Sequence, residues 1–357
     1  MNQAEKLARE SVKVHELGTN WLRDLFLDWD KVQMAAVLLV IIILGLSPRV
    51  VQSPYYMSII ILTVLYAYVG ITWNIVAGFA GQLMIAHLIF VGLGAYTTIV
   101  LLERFRVTPW LGIPLGGVTA GLLGFLVAII TLRYGLKADY FALFGIALMT
   151  VLRVLFMKIK FIGGGEGIWL TFRGESLEKM AFLTKAPYLY LGLGLLLVGS
   201  VAQFLIYRSK MGKYFLAIRE DESAAGALGV NTALYKTLAV TIGTAMAGIG
   251  GGFYVIYVTF VDPPGVFNLG YNVEMALAAP IIGGLGTLAG PVLGAILNKP
   301  IAELMRGWLS AERAGSSLIV YGAFLIFFVL FLPRGVVGLI QHPYERLRRR
   351  LLTNLQK

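Results

Sequence analysis

The chain has 357 residues, 58% of them hydrophobic and 14% charged, with a mean hydropathy of +0.79. Soluble domains are about half apolar and about a quarter charged, so this composition points to an all-α, polytopic helical membrane protein. The absence of cysteine excludes disulfides, thiolate metal sites and cysteine nucleophiles, and the net charge of +11 is read as Lys and Arg of cytoplasmic loops rather than as a nucleic-acid surface.

Residues 1–31 mix acids and bases and lack the apolar core of a secretory signal, so insertion is expected through the first membrane helix. Trp21, Leu25 and Trp29 fall at i, i+4 and i+8, with Leu22 and Phe26 beside them. That stripe suits an amphipathic, cytoplasmic N-terminal segment lying in the headgroup layer. The alternative is a loose tail whose aromatics pack on a neighbouring subunit. Apolar runs follow at 32–46, 55–77, 85–102, 110–132, 140–157 and 187–207, then at 237–260, 273–282, 288–308 and 316–332. Several approach the ~20 residues that a tilted helix needs. The runs 32–46 and 273–282 are short and must lean on protein neighbours or polar cavities.

Parity sets the count. The basic tail with Arg346, Arg348, Arg349 and Arg350 belongs on the cytoplasmic side, and reading the polar island 208–236 as a coupling segment, which rests on the family resemblance given below, puts it there too. An even number of passes must separate them, and breaking the chain at Gly283-Gly284-Leu285-Gly286-Thr287-Leu288-Ala289-Gly290-Pro291 supplies it. The result is about ten transmembrane helices with short broken ones and both termini inside. The bases of 299–314 then fall on the outer side. Residues 32–340 form the transmembrane domain and 341–357 the basic cytoplasmic tail. Gly81-Gln82-Leu83 echoes Gly286-Thr287-Leu288, too short a match to claim an internal repeat.

Three stretches put glycine and polar atoms at membrane depth, where irregular backbone must face a cavity or be buried in protein. The first contains Gly81 and Gln82 and leads to His87, which reads either as a satisfied structural histidine or as a solute ligand. The second, Gly163-Gly164-Gly165-Glu166, opens a long outer loop. It is either an external gate or binding-protein contact, or a flexible turn with one solvated acid. The third is the break with Gly283, Gly284 and Gly286, preceded by Glu274, an intramembrane carboxylate and hence a functional candidate.

The centre of the chain is residues 208–236. Asp221 is a plausible N-cap, Glu222 and Ser223 open a first turn, and Gly229 is a left-handed stop. About two turns of helix lie between them, with Ala224, Ala225 and Leu228 on one small apolar face. The plain alternative is an ordinary amphipathic connector.

Ala217-Ile218-Arg219-Glu220-Asp221-Glu222-Ser223-Ala224-Ala225, then Ala227-Leu228-Gly229-Val230-Asn231 and Tyr235-Lys236, resemble the cytoplasmic coupling segment of the branched-chain amino acid ABC importer permeases, in particular their M-type (LivM-like) subunit. The break at 283–291 and the ending Leu332-Pro333-Arg334-Gly335 with Gly338 extend the likeness over about 55–339. Met84 and Ala86 stand where the family has serine and glycine, which makes that wall less polar. Ile162 and Glu166 replace its threonine and aspartate. The resemblance implies a permease subunit of a bacterial inner-membrane importer for a small polar solute, branched-chain amino acids by default. Arg219, Glu220, Asp221, Ala224, Ala225 and Gly229 would contact the ATPase. Its partners would be a second homologous permease, two ABC ATPases carrying ATP and Mg, a periplasmic solute-binding protein and the bilayer. This chain itself would bind no cofactor. It lacks a Gly-x4-Gly-Lys-Ser/Thr loop, and Gly212-Lys213 has neither the earlier glycine nor the following hydroxyl. His15, His87 and His342 are too few for a metal cluster. The competing readings are an ion- or proton-coupled secondary transporter or channel acting alone through Glu274, and a permease of the same family for urea, amides or aromatic acids.

Overall fold

A computed structural model describes residues 28–133, 138–171, 174–309, 316–341 and 343–344. The amphipathic stripe through Trp21, Leu22, Leu25 and Phe26 and the Arg346–Arg350 tail lie outside the described residues. The first helix, α1, spans Trp29–Val50, capped by Asp28, whose side chain accepts from the Asp30 amide. Next come α2 (Pro54–Trp73), α3 (Leu88–Phe105), α4 (Pro109–Arg133), α5 (Ala138–Lys158) and α6 (Ala186–Arg208). The polar island is α7 (Lys210–Glu220) and α8 (Glu222–Ala227), followed by α9 (Thr232–Val258). Three short pieces, α10 (Pro263–Val266), α11 (Leu269–Asn272) and α12 (Ala278–Gly283), precede α13 (Gly290–Leu309) and α14 (Ser316–Phe331).

Eight helices among the described residues are long and apolar enough to cross a membrane. They correspond to eight of the expected runs. The other two, 273–282 and 288–308, form a broken pair. The first is the largely buried π-turn over 273–277 with α12, and the second is α13, whose Lys299, Glu303 and Arg306 lower its apolarity. Lys299 is thus no solvated outer-loop cation. It sits inside α13 with 1% of its surface exposed.

Two packed groups share α2. In one, α9 lies along α3 and α4 at backbone contact distance. A Cβ on Gly94 would sit 2.0 Å from the Gly248 carbonyl oxygen, so only a hydrogen fits where α3 crosses α9. In the other, α13 packs on α12 and on α2. Helix α2 is the most enclosed membrane helix, whereas α1, α5 and α14 keep most of their surface outward. At one end, Ile168–Trp169 (β1) pairs antiparallel with Phe260–Val261 (β2), a two-residue ladder in an otherwise helical fold.

The opposite end gathers the polar island and the start of α1. Asp28 pairs with Arg208 at 3.2 Å, and the rings of Trp29 and Tyr344 lie 4.6 Å apart. The first described residues, the end of α6 and the last described residues therefore share one face of the bundle.

Candidate functional site: two glycine breaks beneath a charged turn

Helix α2 widens into a π-turn over Asn74–Phe79 before it breaks, and α11 runs into a second π-turn over Val273–Leu277 before α12. Such turns leave backbone groups without their usual partners. In this bundle the backbone groups of the breaks that follow the π-turns are satisfied by side chains from elsewhere. Asn74 donates to the Thr287 carbonyl at 2.9 Å and accepts from the Gly286 amide at 2.8 Å. Gln33 of α1 accepts from the amides of Leu288 (2.9 Å) and Ala289 (3.1 Å), and Gln203 of α6 donates to Thr287 at 3.3 Å. The exchange runs both ways: Asn272, just before the second π-turn, accepts from the Leu88 amide at 2.6 Å and donates to the Ile85 carbonyl. Each break is held by an asparagine from the segment leading to the other. An unsatisfied amide in hydrocarbon costs several kcal/mol, roughly, which is why these polar side chains are buried.

The first break, with Gly81 and Gln82, therefore meets the second, with Gly283, Gly284 and Gly286, near one end of the bundle, not at mid-depth: Gly78 touches Gly286, and Gly81 and Gly286 both abut Arg219. A Cβ on Gly78 would lie 2.8 Å from the Gly286 nitrogen, so the two breaks touch backbone to backbone. They are near the charged end because Gln33, which holds the second break, is five residues from Asp28, about 7 Å along a helix. His87 stands apart from them. It is fully buried, with Nε2 2.9 Å from Thr72 Oγ1. That hydroxyl donates its one proton to the Val69 carbonyl, so Nε2–H must be the donor to Thr72. Nδ1 is left without a partner among the described residues, as is Oε1 of Gln203.

The island is built as the cap and stop residues dictate. The Asp221 carboxylate accepts from the Ala224 amide at 2.9 Å, Gly229 takes φ +86°, and Asn231 caps α9 through the Leu234 amide at 3.0 Å. Lys236 forms an ion pair with Glu222, fastening α8 to α9. The expected single apolar face divides in two. Ala225 turns inward and is buried, while Ala224 and Leu228 face out, Leu228 with 86% of its surface free. Residues 224 and 228 share a helical face, and 225 is about 100° round from 224. Arg219 also turns inward, donating from Nη1 to the Gly78 carbonyl at 2.6 Å, while Nη2 pairs with the exposed Glu220 at 2.7 Å. Glu220, Asp221, Ala224 and Gly229 stay on the outer surface.

The second glycine stretch lies at the far end. Gly164–Glu166 is a single tight turn running into β1, with Gly164 buried and Gly163, with a φ of +84°, closing the preceding turn. Gly165 and Glu166 are exposed.

Glu274 shows what sequence reasoning missed. It is 6% exposed and held between Lys299, at 3.3 Å, and Arg306, while Lys299 and Arg306 both also pair with Glu303. Lys299 further reaches the Tyr66 hydroxyl at 3.3 Å and lies over its ring. The spacing 299, 303, 306 on one helical face was the available signal. A cavity of about 400 Å³ between α4, α6 and α9, touching Trp110, Pro114, Tyr190, Leu195 and Phe253, has walls too apolar for a polar solute.

The sequence pattern of the family described as branched-chain amino acid transport system / permease component matches residues 55–329. The chain belongs to that family. The permease is 28% identical over 336 residues to the high-affinity branched-chain amino acid transport system permease protein LivM of Escherichia coli, covering 87% of this chain and 76% of the relative. It is 25% identical to LivH of Salmonella typhimurium over 76% of this chain and 91% of that protein. A shorter match, 32% over 138 residues, is to the autoinducer 2 import system permease protein LsrC of Klebsiella pneumoniae. No solved structure matches the permease. It is a multi-pass helical membrane protein of the LivM type, and ABC permease components are not themselves enzymes.

Proposed function

We propose that this permease is one half of the membrane channel of a bacterial inner-membrane ABC importer that carries a small polar solute inward, branched-chain amino acids by default. It pairs with a second, homologous permease, two ABC ATPases that bind ATP and Mg, and a periplasmic solute-binding protein that meets the end bearing Glu166. Both termini and the α7–α8 island are then cytoplasmic, consistent with the face shared by the first described residues, the end of α6 and the last described residues. The observation that carries the reading is α8 itself. It is a six-residue helix capped by Asp221 and ion-paired to α9, and it holds Ala224 and Leu228 outward, uncovered by any of the described residues. A short, braced helix of this kind transmits a push as a rigid unit. The breaks that contact α7 are the natural inner gate, with Gly81, Gln82, Gly283, Gly284 and Gly286 at its rim.

The lone secondary transporter needs a carboxylate free to exchange a proton or ion. Glu274 is instead engaged by two cations. The deciding experiment reconstitutes both permeases, the ATPases and the binding protein in proteoliposomes and measures ATP-driven leucine uptake. Uptake by this chain alone, without ATPases, would overturn the proposal.

A further inference from the structure

Arg219 occupies the point where the island and both breaks converge. Besides its bond to the Gly78 carbonyl, it fills the space beside two further glycines. A Cβ on Gly286 would lie 2.5 Å from its Nη1, and one on Gly81 would lie 3.1 Å from its Cγ. Its side chain is 34% exposed, and α7 rests directly on the first π-turn. Gly78 and Gly81 belong to the α2–α3 connection, and Gly286 to the α12–α13 connection. One guanidinium therefore abuts the inner ends of two separate helix pairs while being carried by the element that the ATPase is proposed to move. The planar fork lets one edge hold a carbonyl while the other holds Glu220, a geometry that an ammonium does not reproduce.

We propose that Arg219 is a positioning residue that couples α7–α8 to both glycine breaks, so that displacement of the island moves the inner ends of α2 and α12 together. This rests on reading 208–236 as the ATPase-docking segment. It makes Arg219 an internal link and leaves the docking contact to the outer face of α8.

The test uses the complete transporter in proteoliposomes. With Arg219→Gln the ATPases still co-purify, but solute moved per ATP hydrolysed falls about tenfold, within the usual range of an energetic coupling between sites. Arg219→Lys recovers only part of it. A second readout needs no transport. The chain has no native cysteine, so Lys213→Cys on α7, away from the docking face of α8, and Leu285→Cys, both at exposed positions, accept spin labels on the island and on the second break. With Arg219 present, their separation stays constant between nucleotide-free and ATP-trapped complexes. With Arg219→Gln it changes. Unaltered transport per ATP in Arg219→Gln, or a label separation that shifts while Arg219 is intact, overturns the inference. Leu228→Trp distinguishes the two levels of failure. If it abolishes ATPase binding while Arg219→Gln has no effect, only the link is wrong; if both variants behave as wild type, the docking reading falls as well.

Discussion

Lys299 carries its ammonium into a nearly sealed site because three oxygens await it there, from Glu274, Glu303 and Tyr66. Two acids and two bases cancel, so the quartet with Arg306 is neutral as a group. Desolvation opposes the attraction inside it, and breaking it from one side is costly because an uncompensated charge is left buried. Lys299→Met leaves Glu274 and Glu303 with Arg306 alone, and is expected to destabilise the fold by about 3–5 kcal/mol. Thermal unfolding of the detergent-purified chain measures this, and an unshifted midpoint would refute the pairing. Asn74 is the comparable case among neutral residues. Asn74→Leu strips the Gly286 amide of its side-chain partner and leaves the Thr287 carbonyl with Gln203 alone, at about 1–3 kcal/mol for the amide left bare. Hydrogen exchange at Gly286 should rise sharply in that variant while the amides in the middle of α9 stay protected.

The elements differ in what holds them. Helix α8 is too short to be stable by itself, so it exists through its cap, its Gly229 stop and its ion pair to α9. Asp221→Ala removes the cap and should cost about 1 kcal/mol. It should appear as faster exchange at Ser223 and Ala224 with no change in membrane insertion. The α3–α9 crossing is held by close backbone approach. Gly94→Val places methyl groups on the Gly248 carbonyl and should prevent recovery of folded protein altogether, whereas the same change at Gly194, whose Cβ position meets nothing, should be tolerated. Comparing the two yields after detergent extraction checks this directly.

On the scale of the whole molecule, α2 binds the α3–α4–α9 group to the α12–α13 pair, and both of its neighbours reach the island through glycine. A force on α8 therefore meets two loaded contacts before it meets the membrane. Bulky substitution on the outward face is expected to separate ATP hydrolysis from uptake: Ala224→Trp should insert normally and yet lower uptake by about tenfold or more, a loss typical of a broken coupling. Ala225 is the poorer test site because its side chain is buried inside the chain, so a large residue there disturbs α8 before any partner arrives. A thiol reagent that cannot cross membranes should label Leu228→Cys only in inside-out vesicles; labelling of right-side-out cells would reverse the assigned orientation.

Much of this was legible in the chain itself, for local reasons. Composition and run length mark a multi-pass helical protein because hydrocarbon tolerates little else. Asp221 and Gly229 mark the ends of α8 because caps and left-handed stops are short-range chemistry. The glycine string at 283–291 marks a break for the same reason. What stayed hidden depends on pairs far apart in sequence. Nothing near Asn74 shows that its partners are Gly286 and Thr287, and nothing near Glu274 shows that two bases of an apparent outer loop lie inside a helix against it. Ala224 and Ala225 look alike in sequence and are separated only by where α9 lies. Hydrophobic pattern determines which segments enter the membrane, whereas the tertiary structure decides which buried polar groups satisfy one another, because that matching is a property of the closed bundle and not of any one helix.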